Sequence, residues 1–147
     1  MALPAVAATS QITSPPSPPA IKVIRTTSGF SALPINGFIG QIKLDGNGRI
    51  LTVGGWIAPS KDWPARSIDE IVVGVDIPIV GADLEQVFRP DVVQARAADS
   101  LYSGFTIRLR LLTPLQALPA GASLCVAGSS EGKLVARARD HKEMRCR

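Results

Sequence analysis

The chain has 147 residues, of which 46% are hydrophobic and 19% are charged, and it carries a formal net charge of +4. This length suits one domain that buries a hydrophobic core without metals or cross-links. Because no apolar run approaches the roughly 20 residues of a membrane-spanning helix, the sequence predicts no transmembrane segment.

The first predicted element is an extended arm over residues 1–20. Residues 13–19 hold four prolines, and proline favours polyproline II and cannot join the interior of a sheet. The arm is therefore either a flexible tail or a segment that binds a protein partner or a second copy of the chain. Its apolar start has no basic residue and is broken at Pro4. We therefore predict no secretory signal and favour a cytoplasmic protein or a component of an assembly, while export stays open.

The sequence from residue 21 to residue 140 predicts one β-sandwich domain. Short segments of alternating apolar and polar residues are separated by turn signals. The predicted strands are 21–25, 38–44, 49–57, 68–80, 104–112, 123–127 and 133–139. Pro90 favours one or two helical turns over residues 91–98. The fold class is thus all-β, an antiparallel Ig-like sandwich of about seven strands with one short helix, followed by a charged tail at 141–147 that we expect to fray.

Four features of the first hairpin carry specific expectations. The sequence Asp-Gly-Asn-Gly at 45–48 predicts a tight turn. Alternation places Phe38 on one face together with Ile42 and Leu44, with Gln41 and Lys43 on the other. The glycine pair at 54–55 predicts a bulge or a close backbone approach. The next residue, Trp56, is expected in the core rather than at a ligand.

No residue set is spaced for catalysis, so we predict no enzyme and no cofactor. The single histidine, His141, lies in the charged tail, where a nucleophile relay would lack support. The two cysteines, Cys125 and Cys146, do not show the spacing of a zinc site. Two unconnected thiols are favoured, and a disulfide that uses the terminal cysteine stays open.

Several short motifs resemble an Ig-like module that occurs in bacterial proteins beside glycosyltransferases and other enzymes of surface-polysaccharide assembly. They are Gly-Gln-Ile-Lys-Leu-Asp at 40–45, Gly-Gly-Trp-Ile at 54–57, Ile-Val-Val-Gly-Val-Asp at 71–76, Arg-Pro-Asp-Val at 89–92 and Ser-Gly-Phe at 103–105. The resemblance covers roughly 100 residues and implies a non-catalytic accessory domain that contacts a glycan or packs on an enzyme.

Two groups of residues are candidates for partner contact. Arg108 and Arg110 share one side of a strand, and Arg137 and Arg139 share one side of the last strand. If these strands are neighbours, the arginines would form a basic face that holds carboxylate or phosphate, such as that of an acidic glycan. The alternative is that they protect exposed edge strands. Nucleic acid is disfavoured, because no aromatic platform is interleaved with this basic set.

The second candidate is Trp63, in a loop flanked by prolines, which could stack on a sugar or pack under its own loop. Together these features predict a non-catalytic interaction module that binds a glycan or a protein in bacterial surface-polysaccharide or protein machinery. The alternative is a structural subunit of a larger assembly or virion, docked through its N-terminal arm.

Overall fold

The structure is a computed structural model that describes residues 20–58, 68–87 and 104–147. These residues form eight strands: β1 (Ala20–Ile24), β2 (Ile35–Asp45), β3 (Ile50–Ile57), β4 (Glu70–Val75), β5 (Ile79–Val87), β6 (Gly104–Leu111), β7 (Leu124–Ser130) and β8 (Lys133–Arg139). The helix predicted over 91–98 lies outside the described residues. In the described ranges there is no helix with the length and hydropathy that a membrane span requires.

All eight strands belong to one mixed sheet, in the order β1-β4-β7-β8-β2-β3-β6-β5. The all-β prediction is confirmed. The seven-stranded antiparallel Ig-like sandwich is not confirmed, because the sheet is continuous and β1 pairs with β4, and β2 with β8, in parallel. Alternation of apolar residues identifies strands and their faces, but it carries no information about which distant strands pair.

The sheet curls until its two edge strands, β1 and β5, lie against each other. A single sheet can therefore enclose a core between its own strands. Residues of all eight strands contribute to this core, and the fully buried ones include Leu51, Val73, Ile107 and Leu124. On β6 the alternation predicted from the sequence is confirmed, since Phe105 and the alternate residues after it are buried while Arg108 and Arg110 point outward.

A bulge at Gly40 changes the predicted face of Phe38. The pairing of β2 with β3 shifts between Ile39 and Gln41, so one extra residue stands in β2. Each residue added to a strand reverses the faces of those before it. The prediction that Phe38 shares a face with Ile42 was therefore wrong, because Ile42 is buried and Phe38 is 47% exposed on the outer face.

Trp56 is also outside the main core, contrary to prediction. It stands opposite Phe38 in the pairing of β2 and β3 and is half-buried. Its neighbour Gly55 points inward, where a Cβ atom would collide with the carbonyl oxygen of Phe38. The glycine pair thus makes the predicted close backbone approach, while the bulge lies on the opposite strand.

The segment predicted as one strand over 68–80 is two strands with a bend between them. Asp76 turns out of the strand, and its carboxylate accepts hydrogen bonds from the backbone N–H of Ser123 at 3.0 Å and from the Ser123 hydroxyl at 3.2 Å. Pro78 follows and has no N–H to pair. The bend connects β4, the neighbour of edge strand β1, to β5, the opposite edge strand. The chain thus passes between the two edges of the curled sheet.

The C-terminal tail is docked and does not fray as predicted. Met144 is fully buried in the main core, and the N–H of Leu124 donates to the carbonyl of Arg145 at 3.1 Å. Cys146 forms a disulfide with Cys125, so the expectation of two unconnected thiols was wrong. The sequence did not show that a residue so near the chain end returns to β7.

A second, smaller hydrophobic cluster covers the outer face of β4 and β7. It contains the buried residues Phe30, Val72, Cys125 and Ala127. The ring of Phe30 lies over Gly74, 2.8 Å from where a Cβ atom would stand. This part of the outer face is therefore covered, while the neighbouring part, over β8, β2, β3 and β6, contains the exposed residues described next.

Candidate binding face

The predicted basic residues lie on one outer surface, but in two separate groups. Arg108 and Arg110 are exposed on β6, whereas Arg137 and Arg139 belong to β8. Strands β2 and β3 lie between β6 and β8, which places the groups about 14 Å apart at the usual strand spacing. The predicted basic face required β6 and β8 to be neighbouring strands. They are not neighbours, so the four arginines do not form a single cluster.

The alternative explanation, edge protection, does not apply to β8. The edges of the sheet are β1 and β5, and β8 is paired with β7 on one side and with β2 on the other. Arg137 and Arg139 are thus surrounded by backbone that is already hydrogen-bonded. Trp63, the other predicted contact residue, lies outside the described residues.

An aromatic pair lies between the two groups of arginines. Phe38 of β2 stands opposite Trp56 of β3, and Arg139 of β8 stands opposite Phe38 on its other side. Beyond Trp56 the row continues to Gly104 of β6, which has no side chain to cover the indole, and then to Val87 of β5. Ile35, 46% exposed, precedes Phe38 on β2. We call the surface formed by Ile35, Phe38, Trp56, Arg137 and Arg139 the aromatic–arginine face.

A more polar surface continues from this face along the strands. The next outward row contains Gln41, Gly54 and Thr106, and the following row contains Lys43, Thr52 and Arg108. These residues offer amide, hydroxyl and cationic groups at strand spacing beside the aromatic rings. The outer surface thus combines apolar stacking area with hydrogen-bond donors and acceptors.

The β6 arginines already have local contacts. Arg108 forms an exposed ion pair with Glu85, with 3.7 Å between Nη1 and Oε2. The guanidinium of Arg110 occupies the space that a side chain at Gly81 would fill. Asp83 stands opposite Arg108 on β5. The β6 side of the surface therefore carries acidic residues as well as basic ones.

The β8 arginines differ, because no carboxylate pairs with them among the residues that the structure describes. In Arg137, Nε and Nη1 are buried and have no hydrogen-bond partner there. Arg137 stands between Ala127 and Ile35, whose side chains cannot accept a hydrogen bond. Arg139 is exposed next to Phe38. The positive charge of the face is thus concentrated at β8.

The aromatic pair was missed by sequence reasoning, although a signal for it exists. Alternation alone assigns Phe38 to the core, and only the additional glycine at position 40, opposite the pair Gly54–Gly55, indicates the irregular register. In the described ranges no group of three or more His, Cys, Asp or Glu residues is placed to hold a metal ion. The side chains of this surface offer ring stacking, hydrogen bonding and attraction of anions.

Comparison with protein-family models, curated proteins and solved structures finds no match to this chain. The resemblance to an Ig-like accessory module therefore stays a prediction from the sequence motifs.

Proposed function

We propose that this protein is a non-catalytic interaction module that binds a polysaccharide on its aromatic–arginine face. The observation that carries the proposal is the cross-strand pair of Phe38 and Trp56, with Phe38 47% exposed on the outer surface of the sheet. Aromatic rings bind the apolar faces of sugars, and their amphipathic surroundings supply the polar contacts. Gln41 and Thr106, one row away, provide such polar groups.

The disulfide supports a role at the cell surface rather than in the cytoplasm. The Cys125–Cys146 bond closes the C-terminal tail onto β7. Disulfides persist in oxidising surroundings and are rare in the reducing cytosol. A polysaccharide of the bacterial surface is found in such oxidising surroundings. This agrees with the resemblance of the sequence motifs to accessory modules of surface-polysaccharide enzymes. The cytoplasmic localisation favoured from the sequence is accordingly replaced in this proposal.

The proposal is tested by binding measurements on a panel of acidic and neutral polysaccharides, with Phe38→Ala as the variant. We expect wild-type protein to bind at least one polymer and Phe38→Ala to bind it about three- to tenfold more weakly, since an aromatic contact contributes on the order of 1 kcal/mol. Isothermal titration calorimetry measures both affinities.

Leu112→Ala is the matched control. Leu112 is 63% exposed just beyond the end of β6, whereas the aromatic row meets β6 at its first residue, Gly104. The control removes a similar exposed apolar side chain and should leave the affinity unchanged. Equal affinities of wild type and Phe38→Ala, or an absence of binding at millimolar concentrations, would refute the proposal.

The alternative of a structural subunit depends on residues 1–20, of which only Ala20 is described. No contact of the described residues favours it, and it stays a prediction from the sequence.

A further inference from the structure

We infer that Arg137 and Arg139 form an anion subsite beside the aromatic pair, so that the ligand is an acidic polysaccharide whose charged groups bind at β8. This inference rests on the proposed function and specifies its ligand class. It differs from the expectation of one four-arginine face, because it assigns the anion to the β8 pair alone.

The first support is the lack of a counter-charge. Buried N–H groups of a half-buried guanidinium are costly when they have no partner, and an anion near the group lowers that cost. Nε and Nη1 of Arg137 are in this condition among the described residues, and Arg139 has no ion pair there. On β6, by contrast, Arg108 is paired with Glu85. The strongest demand for an external anion is therefore at β8.

The second support is geometry. Arg137 and Arg139 are alternate residues of one strand, so their side chains leave the same face about 7 Å apart. Arg139 stands directly opposite Phe38. A sugar ring stacked on Phe38 would thus place a substituent within reach of the Arg139 guanidinium. Arginine binds carboxylate and sulfate through paired N–H groups, which suits an acidic sugar.

The third support concerns the competing partner class. Phe38 and Trp56 lie between basic residues, so the sequence-based reason for disfavouring nucleic acid no longer holds. The same surface carries Asp83 and Glu85 on β5, and these repel any polyanion that extends onto that strand. The disulfide favours a ligand outside the cytosol, and this favours an acidic polysaccharide over nucleic acid.

The test compares polygalacturonate with the same polymer after its carboxyl groups have been reduced to alcohols. Affinities for both are measured for wild type, Arg137→Gln, Arg139→Gln and Arg110→Gln. Arg110→Gln is the matched control, because it removes one positive charge from the same outer surface. Dextran sulfate and a single-stranded oligothymidylate are measured in parallel. Thermal melts of each variant show that the fold is retained.

We expect polygalacturonate to bind more tightly than its reduced form, and Arg139→Gln to weaken that binding about tenfold, the effect of one charged hydrogen bond. Arg139→Gln should not change binding of the reduced polymer. Arg137→Gln should act in the same direction, and Arg110→Gln should act much less. Tighter binding of dextran sulfate with the same dependence on Arg139 would retain the subsite and identify sulfate as its anion.

Equal losses in Arg110→Gln and Arg139→Gln would overturn the subsite, because they indicate general electrostatic attraction. Equal binding of both polymers that still depends on Phe38 would also overturn it while leaving the proposed function intact. Tightest binding of the oligothymidylate through Arg139 would overturn the assignment to a polysaccharide. Failure of every polymer to respond to Phe38→Ala would instead refute the proposed function itself.

Discussion

Phe38 lies on the outer surface because Gly40 adds one residue to β2. The bulge leaves Ile39 and Ile42 in the core and turns Phe38 outward, opposite Trp56. Gly55 allows the two backbones to approach where any side chain would collide. Gly40 and Gly55 thus determine which residues are available for binding. A single register change converts an apparent core residue into the centre of the candidate face.

Replacement of Trp56 tests this placement. Because the indole is half-buried on the outer face, we expect Trp56→Ala to lower the free energy of unfolding by about 1–2 kcal/mol. Ile107→Ala is the comparison, since Ile107 is fully buried in the main core and should cost about 2–5 kcal/mol. Urea denaturation measures both. A larger loss in Trp56→Ala than in Ile107→Ala would place the indole in the core.

The sequence predicts single residues well where the strand is regular. On β6 the assignment of Phe105, Ile107, Arg108 and Arg110 to their faces is confirmed, because strict alternation reports the pleat directly. It predicts them poorly beside irregularities, as at Phe38 and Trp56. The reason is physical: a bulge is a local change in backbone pairing, and its effect on faces depends on which strand carries it.

At the scale of elements, the C-terminal tail is part of the folded domain. Met144 fills the main core while Cys146, two residues later, is bonded to Cys125 beside the outer cluster. The tail therefore joins the inner and outer faces of β7. The charged sequence of the tail does not indicate this docking, because only one apolar side chain, Met144, and one thiol, Cys146, make the contacts.

Two changes to the tail should together lower the free energy of unfolding by less than the sum of their separate effects. The disulfide joins residues separated by 21 positions, so replacing both cysteines with alanine should cost about 3 kcal/mol. Met144→Ala should cost about 2–4 kcal/mol, because its side chain is fully buried. Both act on the docking of one segment, so the triple variant should lose less than the sum.

Denaturation of the single, double and triple variants, with the wild type repeated under reducing conditions, measures these terms. Reduction should lower wild-type stability and leave the cysteine-free variant unchanged. If the triple variant lost as much stability as the sum of the two separate losses, Met144 and the disulfide would act independently. That result would contradict the docking of the tail as one segment.

At the scale of the whole molecule, the pairing of distant strands determines what the surface contains. The sequence predicted most of the strands and the first hairpin, but β8 pairs with β2 across most of the chain, and β2 and β3 separate it from β6. This order places the aromatic pair between the two basic groups. Long-range pairing depends on the packing of the complete core, and alternation in each strand does not report it.

The most direct test of the account is to map the ligand contact on the protein. Backbone and indole N–H signals are followed by two-dimensional NMR while polygalacturonate is titrated into the full chain, with Trp63→Phe used to assign the Trp56 indole. We predict that the largest shifts occur at Phe38, Trp56, Arg137 and Arg139. Shifts concentrated instead around the exposed residues Val80 and Leu112, or no shifts at millimolar ligand, would contradict it.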